Sequence, residues 1–159
     1  MDRNTLPLPR TAQRLAVLMP FLAMLALSSG CATNRATANV ASDVDIGKYK
    51  SFYVVTLPAD ERGTDKLIAA NLQKRGFSAT TGPQPESRPA GADALVTYTD
   101  RWMWDMTMYM VELTIQLRNP LNNFPVATGN SLHTSLTRKS PPEMVDEVLN
   151  NVFNAQTKK

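Results

Sequence analysis

The sequence has little of the chemistry on which most enzyme sites depend. Its 159 residues include one cysteine and one histidine. A disulfide framework, a Cys/His zinc site and a Cys–His nucleophilic pair each need more of these residues. Gly-rich phosphate loops and Asp-rich calcium loops are missing as well. We therefore expect no catalytic residues, no metal ion and no dissociable cofactor.

Runs of positive charge are also missing. The formal net charge is +3, but three arginines and one aspartate fall within residues 1–30. Without those residues the net charge is about +1, and no Lys/Arg cluster remains that could follow a phosphate backbone. Nucleic acid is therefore excluded as a partner.

Residues 1–30 have the three parts of a secretory signal peptide. Arg10 and Arg14 precede an apolar stretch from Leu15 to Leu27, which leads into Ser28-Ser29-Gly30-Cys31. This stretch has 13 residues and contains Pro20, so it is too short and too irregular to span a bilayer as a helix. The pattern predicts export and removal of the leader.

The residues Leu27-Ser28-Ser29-Gly30-Cys31 resemble the lipobox of bacterial lipoproteins, in which small residues precede a cysteine that becomes acylated. Acylation of Cys31 would consume the single thiol, which is a liability in an oxidising compartment. Two or more acyl chains anchor a protein stably to a membrane. By the same resemblance, Ala32 after the cysteine implies the periplasmic face of the outer membrane.

The rest of the chain divides at about residue 43. Residues 31–43, which are small and polar after the lipidated Cys31, predict a flexible tether. Residues 44–159 predict one periplasmic α+β domain. Its expected elements are strands at 49–56, 77–80, 93–104, 106–118 and 124–138, a helix at 65–75 capped by Thr64, and a helix opened by a Ser140/Glu143 capping box.

This order predicts a two-layer sandwich, with a four- to five-stranded, largely antiparallel sheet and two helices on one face. Alternation along residues 106–118 places Tyr109, Val111 and Leu113 on the helix-covered face. It places Met106, Met108 and Met110 on the open face, where they would form an apolar patch. In the next strand, His133 falls on the open face, flanked by Ser131 and Ser135.

Two segments carry a wider resemblance when they are combined with the lipobox. A helix-to-strand join, Leu72-Gln73-Lys74-Arg75-Gly76-Phe77, and a closing helix opened by Lys139-Ser140-Pro141-Pro142-Glu143-Met144 resemble small outer-membrane lipoproteins of Gram-negative bacteria. Their domain is similar to the amino-terminal domain of the Tol system's propeller protein and to lipoprotein activators of peptidoglycan synthases. The resemblance implies a membrane-anchored, non-catalytic interaction role, with an envelope protein or a peptidoglycan-associated partner.

The few candidate catalytic residues lack a supporting pattern. Ser131 and His133, or His133 and Ser135, lie two apart on a predicted strand, about 6.5–7 Å between backbones, which is too far for a nucleophile and its base. The acidic candidates are interleaved with apolar strand residues, where charge usually serves solubility or cross-strand pairing. They are Asp93, Asp100, Asp105 and Glu112.

The most distinctive stretch runs from Arg101 to Met110. Its large apolar side chains either cap the core or form a partner-binding surface. They are Trp102, Trp104, Met106, Met108 and Met110. Two alternatives stay open: an envelope hydrolase that acts on peptidoglycan or lipid through carboxylates near the tryptophans, and a carrier that holds a small ligand or lipid at this end of the sheet.

Overall fold

The computed structural model describes residues 34–157, and the predicted signal peptide and Cys31 lie outside the described residues. Within them, six strands and two α-helices form an α+β fold. The strands are β1 (Arg35–Val40), β2 (Ser51–Val55), β3 (Ser78–Gly82), β4 (Ala94–Asp105), β5 (Thr107–Arg118) and β6 (Pro125–Leu132). The helices are α1 (Thr64–Lys74) and α2 (Pro141–Thr157), and short 3-10 turns cover Ile46–Lys48 and Ser135–Thr137.

The strands form one mixed sheet in the order β1-β6-β5-β4-β2-β3. β2 is parallel to both β3 and β4, because α1 returns the chain to the same end of the sheet before β3 begins and the loop at residues 83–93 returns it again before β4. The other three pairs, β1 with β6, β6 with β5 and β5 with β4, are antiparallel. The predicted α+β class is confirmed, whereas the prediction of four to five largely antiparallel strands is wrong.

The additional strand comes from the predicted tether. Arg35–Val40 pairs with β6 along its whole length, from Arg35 opposite Leu132 to Val40 opposite Ala127. Only Val40 is buried, so β1 lacks the apolar alternation that marks a strand in a sequence. Backbone hydrogen bonds to β6 hold this edge strand, and the prediction of a flexible segment fails from Arg35 to Val40 for that reason.

Both helices contribute side chains to one core. Ile68 and Leu72 of α1, and Val148 and Leu149 of α2, are fully buried with the strand residues. A Cβ atom at Gly129 of β6 would lie 2.6 Å from Val152 Cγ2 and 2.8 Å from Val148 Cγ1, so only glycine allows α2 to approach β6 this closely. Neither helix in residues 34–157 is long and apolar enough to cross a bilayer.

The sequence predicted the start of α2 better than the start of α1. At α2, the Ser140 backbone N–H donates to the Glu143 carboxylate at 2.8 Å, which confirms the glutamate half of the capping box. At α1, the N-cap residue is Gly63, and the Thr64 hydroxyl donates instead to Asp100 at 2.7 Å. The prediction of Thr64 as the cap is therefore wrong, because a tertiary partner takes its hydroxyl.

Candidate functional site

The end of the β4–β5 hairpin is the most exposed apolar part of the described chain. Asp105 pairs with Thr107 across the turn, and Met106 stands at the apex. The exposed fractions are 87% for Met106, 70% for Trp104, 49% for Met103 and 45% for Met108. We call residues Met103–Met108 the hairpin tip.

A β-bulge determines which residues reach this tip. Arg101 pairs with Glu112, but Trp102 pairs with Met110, so Val111 is an extra residue in β5. The bulge reverses the alternation beyond it and turns Met110 toward the core, where it is fully buried.

The prediction that Met106, Met108 and Met110 form a stripe on the open face is therefore wrong for Met110. It also assumed an unbroken alternation, which the bulge at Val111 interrupts. Met110 belongs to the core and contributes nothing to an exposed surface. Met108 pairs with Trp104 and shares a side of the hairpin with Met110, yet it lies nearer the turn and is partly exposed. Met103, which the sequence did not single out, is among the exposed residues.

Trp102 belongs to the base of the hairpin and packs against the core. Its Nε1–H donates to Asp100 Oδ2 at 2.9 Å, and the Arg62 guanidinium lies 4.4 Å from the centre of its ring. The hydrogen bond and the cation–π contact together hold the indole ring in place. Of the two predicted tryptophans, Trp104 alone is freely accessible for a partner.

An arginine supports the tip from the segment after β6. Arg138 stacks on the Tyr109 ring at 4.8 Å and donates to Thr107 Oγ1 at 2.8 Å. Its guanidinium also lies 4.0 Å from Asp105. The hairpin tip is thus held at its base by contacts from Arg138, although its own apolar side chains project outward.

The apex itself is conformationally strained. Met106 has a φ of 54°, in the left-handed region that glycine and asparagine adopt most easily. The methionine side chain cannot form the local hydrogen bond by which asparagine or aspartate offsets this cost. The turn therefore presents an apolar side chain at a position where glycine or asparagine would be less strained.

A second candidate region is a cavity of about 140 Å³ at the carboxyl end of β2, where Asp60 and Asp100 line the wall. Burial raises the pKa of Asp60, but hydrogen bonds from the Tyr98 hydroxyl and three backbone N–H groups outweigh it, so the pKa is lower than usual. Tyr98 donates at 2.6 Å, and burial together with this bond raises the pKa of Tyr98 well above its ordinary value.

Two further aspartates near this cavity are also hydrogen-bonded within the fold. Asp65 accepts from the Thr56 hydroxyl at 2.6 Å, and Asp100 accepts from both Thr64 and Trp102. A glycosidase-like pair needs one carboxyl with a raised pKa to donate a proton, and Asp60 has the opposite shift. The cluster joins α1 to β4, and no cluster of metal-ligating residues occurs within the described chain.

The lone histidine is buried, and its predicted position on the open face is wrong. His133 lies beyond the end of β6, and its Nε2 is 2.7 Å from Glu147 Oε2 on α2. Ser131 also donates to Glu147 rather than to His133, so no nucleophile–base pair forms. The Nδ1 atom of His133 has no hydrogen-bond partner among the described residues.

Glu147 is the centre of this network. Burial raises its pKa, but hydrogen bonds from Lys139, Ser131 and His133 outweigh burial and lower the pKa to about 2. Because the carboxylate is ionised at neutral pH, it can only accept, and the His133 Nε2 must carry the proton. The network fastens α2 to the sheet, and Glu147 itself is held by three hydrogen bonds.

The remaining predicted acidic candidates have structural contacts as well. Asp93 accepts from the backbone N–H groups of Lys50 and Ser51, and these bonds lower its pKa. Glu112 lies 3.1 Å from Arg101 across the strands.

A larger depression of about 710 Å³ lies between α1 and α2, and it is the place to look for a ligand that the carrier alternative requires. Its walls are mostly charged and amide side chains, in contrast to the apolar lining that a lipid or hydrophobic ligand requires. They include Asn71, Lys74, Lys139, Glu143, Asp146 and Asn150. The depression therefore gives no specific support to a lipid carrier.

Comparison with known proteins gives structural likenesses only. No protein-family model matches the chain, and no curated protein matches it in sequence. The fold is similar to the PelC dodecamer from Paraburkholderia phytofirmans, with a TM-score of 0.55 and 14% identity over 78% of this chain and 98% of that one. The L103M variant of the same PelC has a TM-score of 0.53 and 13% identity, covering 80% of this chain and 100% of that one.

A DUF4136 family protein from Bacteroides thetaiotaomicron has a TM-score of 0.46 and 9% identity over 74% of this chain and 93% of that one. At such identities the PelC likeness shows a shared fold alone, and the DUF4136 likeness is weaker still. The resemblance to envelope lipoproteins therefore stays a prediction from the sequence.

Proposed function

We propose that this chain is a lipid-anchored, non-catalytic interaction domain on the periplasmic face of the outer membrane. The observation that carries the proposal is the hairpin tip, where four large apolar side chains within six residues are exposed. Exposed apolar clusters of this kind are typical of contact surfaces. The two helices would cover one face of the sheet and leave the tip free to make its contact.

The carboxylates support a binding role over hydrolysis. Asp60, Asp65 and Asp100 each accept a hydrogen bond from a hydroxyl that the fold supplies. Such carboxylates stabilise the fold, whereas a hydrolytic site needs a carboxyl that is free to exchange a proton with substrate. This is why the envelope-hydrolase alternative is the weaker one.

The anchor is tested by Cys31→Ser in the full chain, with Ser28→Ala as the matched control. We expect Cys31→Ser to abolish incorporation of a labelled fatty acid and to release the domain from membranes, because the cysteine is the acylation site. Ser28→Ala should keep both properties. Wild-type protein that incorporates no fatty-acid label, or Cys31→Ser that keeps the label, would refute the anchor.

The interaction surface is tested by photo-crosslinking in cells. A photoreactive residue replaces Met106 at the tip or Leu121 at the opposite end of the sheet, where 74% of the leucine is exposed. We expect a specific adduct, to protein or to lipid, from position 106 and none from position 121. Equal adducts from both positions would show that the tip is not a dedicated contact surface.

Self-association is a second candidate, which the likeness to a dodecameric protein favours. β1 and β3 are the edge strands, and each pairs on one side only within the described sheet. Edge strands are a common route for joining copies of one chain. Light scattering on the purified protein at several concentrations distinguishes a defined oligomer from a monomer.

A further inference from the structure

The chain enters the sheet at the end from which the hairpin tip projects. β1 begins at Arg35, opposite Leu132, and Leu132 also pairs with Glu112 of β5. Beyond Glu112, β5 and β4 continue alone to the tip. Because β1 and β5 run in the same direction, Asn34 lies at the end of β1 that is nearer the tip.

The distances on the two sides are similar. Arg101 pairs with Glu112, and the four residue steps from Arg101 to Asp105 rise about 13 Å along the strand. Three residue steps separate Asn34 from Cys31, which spans at most about 11 Å of extended chain. A lipid on Cys31 would therefore hold Asn34 within about 11 Å of the bilayer surface. This distance is similar to the length by which the tip projects beyond the end of β1.

Side-chain contacts link the chain's entry to the hairpin. The Thr137 hydroxyl donates to Asn34 Oδ1, and the neighbouring Arg138 donates to Thr107. The short segment after β6 therefore holds both the start of β1 and the base of the tip. These contacts fix which way the tip points relative to the point where the tether joins.

We propose that the hairpin tip is a second membrane contact, which enters the headgroup region of the same bilayer that holds the lipid anchor and thereby orients the domain. This inference rests on the proposed anchor at Cys31. Trp104 is the residue type that concentrates at membrane interfaces, and Met103, Met106 and Met108 supply flexible apolar surface around it.

The charges near the base of the tip are compatible with contact to a bilayer. Arg35, Arg101 and Arg138 face Glu112 and Asp105, so positive charge is in slight excess. Cationic side chains beside an interfacial tryptophan attract anionic headgroups. The bilayer is favoured over a protein partner because an anchor on Cys31 would hold Asn34 within about 11 Å of its surface, which raises the effective concentration of the tip there.

The experiment measures how deeply each tryptophan lies in a bilayer. The full-length protein is expressed, processed by the cell, purified in detergent and reconstituted into phosphatidylethanolamine–phosphatidylglycerol vesicles with or without brominated acyl chains. Trp102→Phe leaves Trp104 as the sole tryptophan, and Trp104→Phe leaves Trp102. We expect shallow bromines to quench most of the Trp104 emission, with a shift to shorter wavelength, and to quench Trp102 less.

A third variant provides the matched control at the far end of the sheet. Trp102→Phe and Trp104→Phe are combined with Phe124→Trp, at a position where 66% of the native side chain is exposed. Its emission should be unquenched. If Trp102→Phe fails to fold, subtraction of the Trp104→Phe spectrum from the wild-type spectrum isolates Trp104. Quenching at position 124 equal to that at Trp104 would show unspecific adsorption and overturn the proposal.

The failure of this inference is distinguishable from failure of the anchor. Mass spectrometry of the purified protein reports whether Cys31 is acylated. Trp104 emission that brominated lipid leaves unquenched overturns the membrane contact, whether or not acyl groups are present. Acylated protein with an unquenched Trp104 and a protein adduct from position 106 would keep the proposed function and assign the tip to a protein partner or a second copy.

Discussion

The two halves of the β4–β5 hairpin present similar side chains to different surroundings. In the half nearer the β5–β6 turn, Leu113, Ile115 and Leu117 are buried in the core with both helices. In the projecting half, Trp104 and Met108 are apolar as well, yet both are exposed. The covering elements, rather than side-chain polarity, decide burial, so the same hydrophobicity stabilises the fold in one half and is available for contact in the other.

The boundary between the two halves falls between Met108 and Met110. Substitution of these two methionines should give the largest difference in the free energy of unfolding. Met110→Lys should cost several kcal/mol, because it leaves an unpaired charge in a fully buried position. Met108→Lys, on the same side of the hairpin, should change the free energy of unfolding by about 0.5 kcal/mol or less, as exposed substitutions usually do. Denaturant titration of both variants measures the difference.

Equal destabilisation by the two lysines would break the comparison. It would mean that Met108 is buried as deeply as Met110, by a contact within the chain or between copies. The tip would then be part of the protein's own core.

Glu147 tests the helix-covered half, because its carboxylate connects α2 to Ser131 of β6. Its pKa is lowered from 4.5 to about 2. A carboxylate with a lower pKa in the folded state adds stability that is complete above its unfolded pKa and is lost as the pH falls toward the folded value. Glu147→Gln should therefore cost up to about 3 kcal/mol at neutral pH.

The pH dependence distinguishes this charge effect from general damage. Between about pH 4.5 and 2, the wild-type protein should lose stability more steeply than Glu147→Gln, and the gap between them should narrow. Glu86→Gln removes the same charge from an exposed loop and should have little effect on stability. Parallel pH curves for wild type and Glu147→Gln would contradict this role of the carboxylate. Thermal unfolding across the pH range provides the curves.

The smallest effect concerns the apex of the projecting half. Met106→Asn should increase stability by up to about 1 kcal/mol, because asparagine adopts the left-handed conformation more easily than methionine. Met106→Leu, which keeps an apolar side chain and the strain, should give no such gain. A loss of stability in Met106→Asn, seen as a lower denaturant midpoint, would show that the methionine side chain makes a stabilising contact.

Helices and central strands were largely readable from local patterns. The Ser140/Glu143 motif predicted the start of α2, and the strand predicted at residues 49–56 contains β2. These signals are local, because one residue's neighbours along the chain define the buried face or the cap. Edge strand β1 carried no such signal, since its stability comes from a pairing with residues about 90 positions later.

The candidate site was only partly readable for a related reason. The stretch from Arg101 to Met110 was singled out, but alternation placed Met110 on the wrong face, since one bulged residue at Val111 is invisible to a period of two. His133 was misplaced for a different reason: Gly129 and Ser131 form the helix-covered face of β6, an apolar alternation does not mark residues of these types, and His133 falls on the same face. The Asp60–Tyr98 bond joins a loop to a strand 38 residues away, which no motif records.

Composition and short-range pattern were enough to establish an α+β domain and to locate the apolar stretch, because residue type and period encode these properties. They were not enough to establish which of those apolar residues reach solvent. That outcome depends on where the helices end over the sheet and on a single bulge in β5, and both are properties of long-range packing.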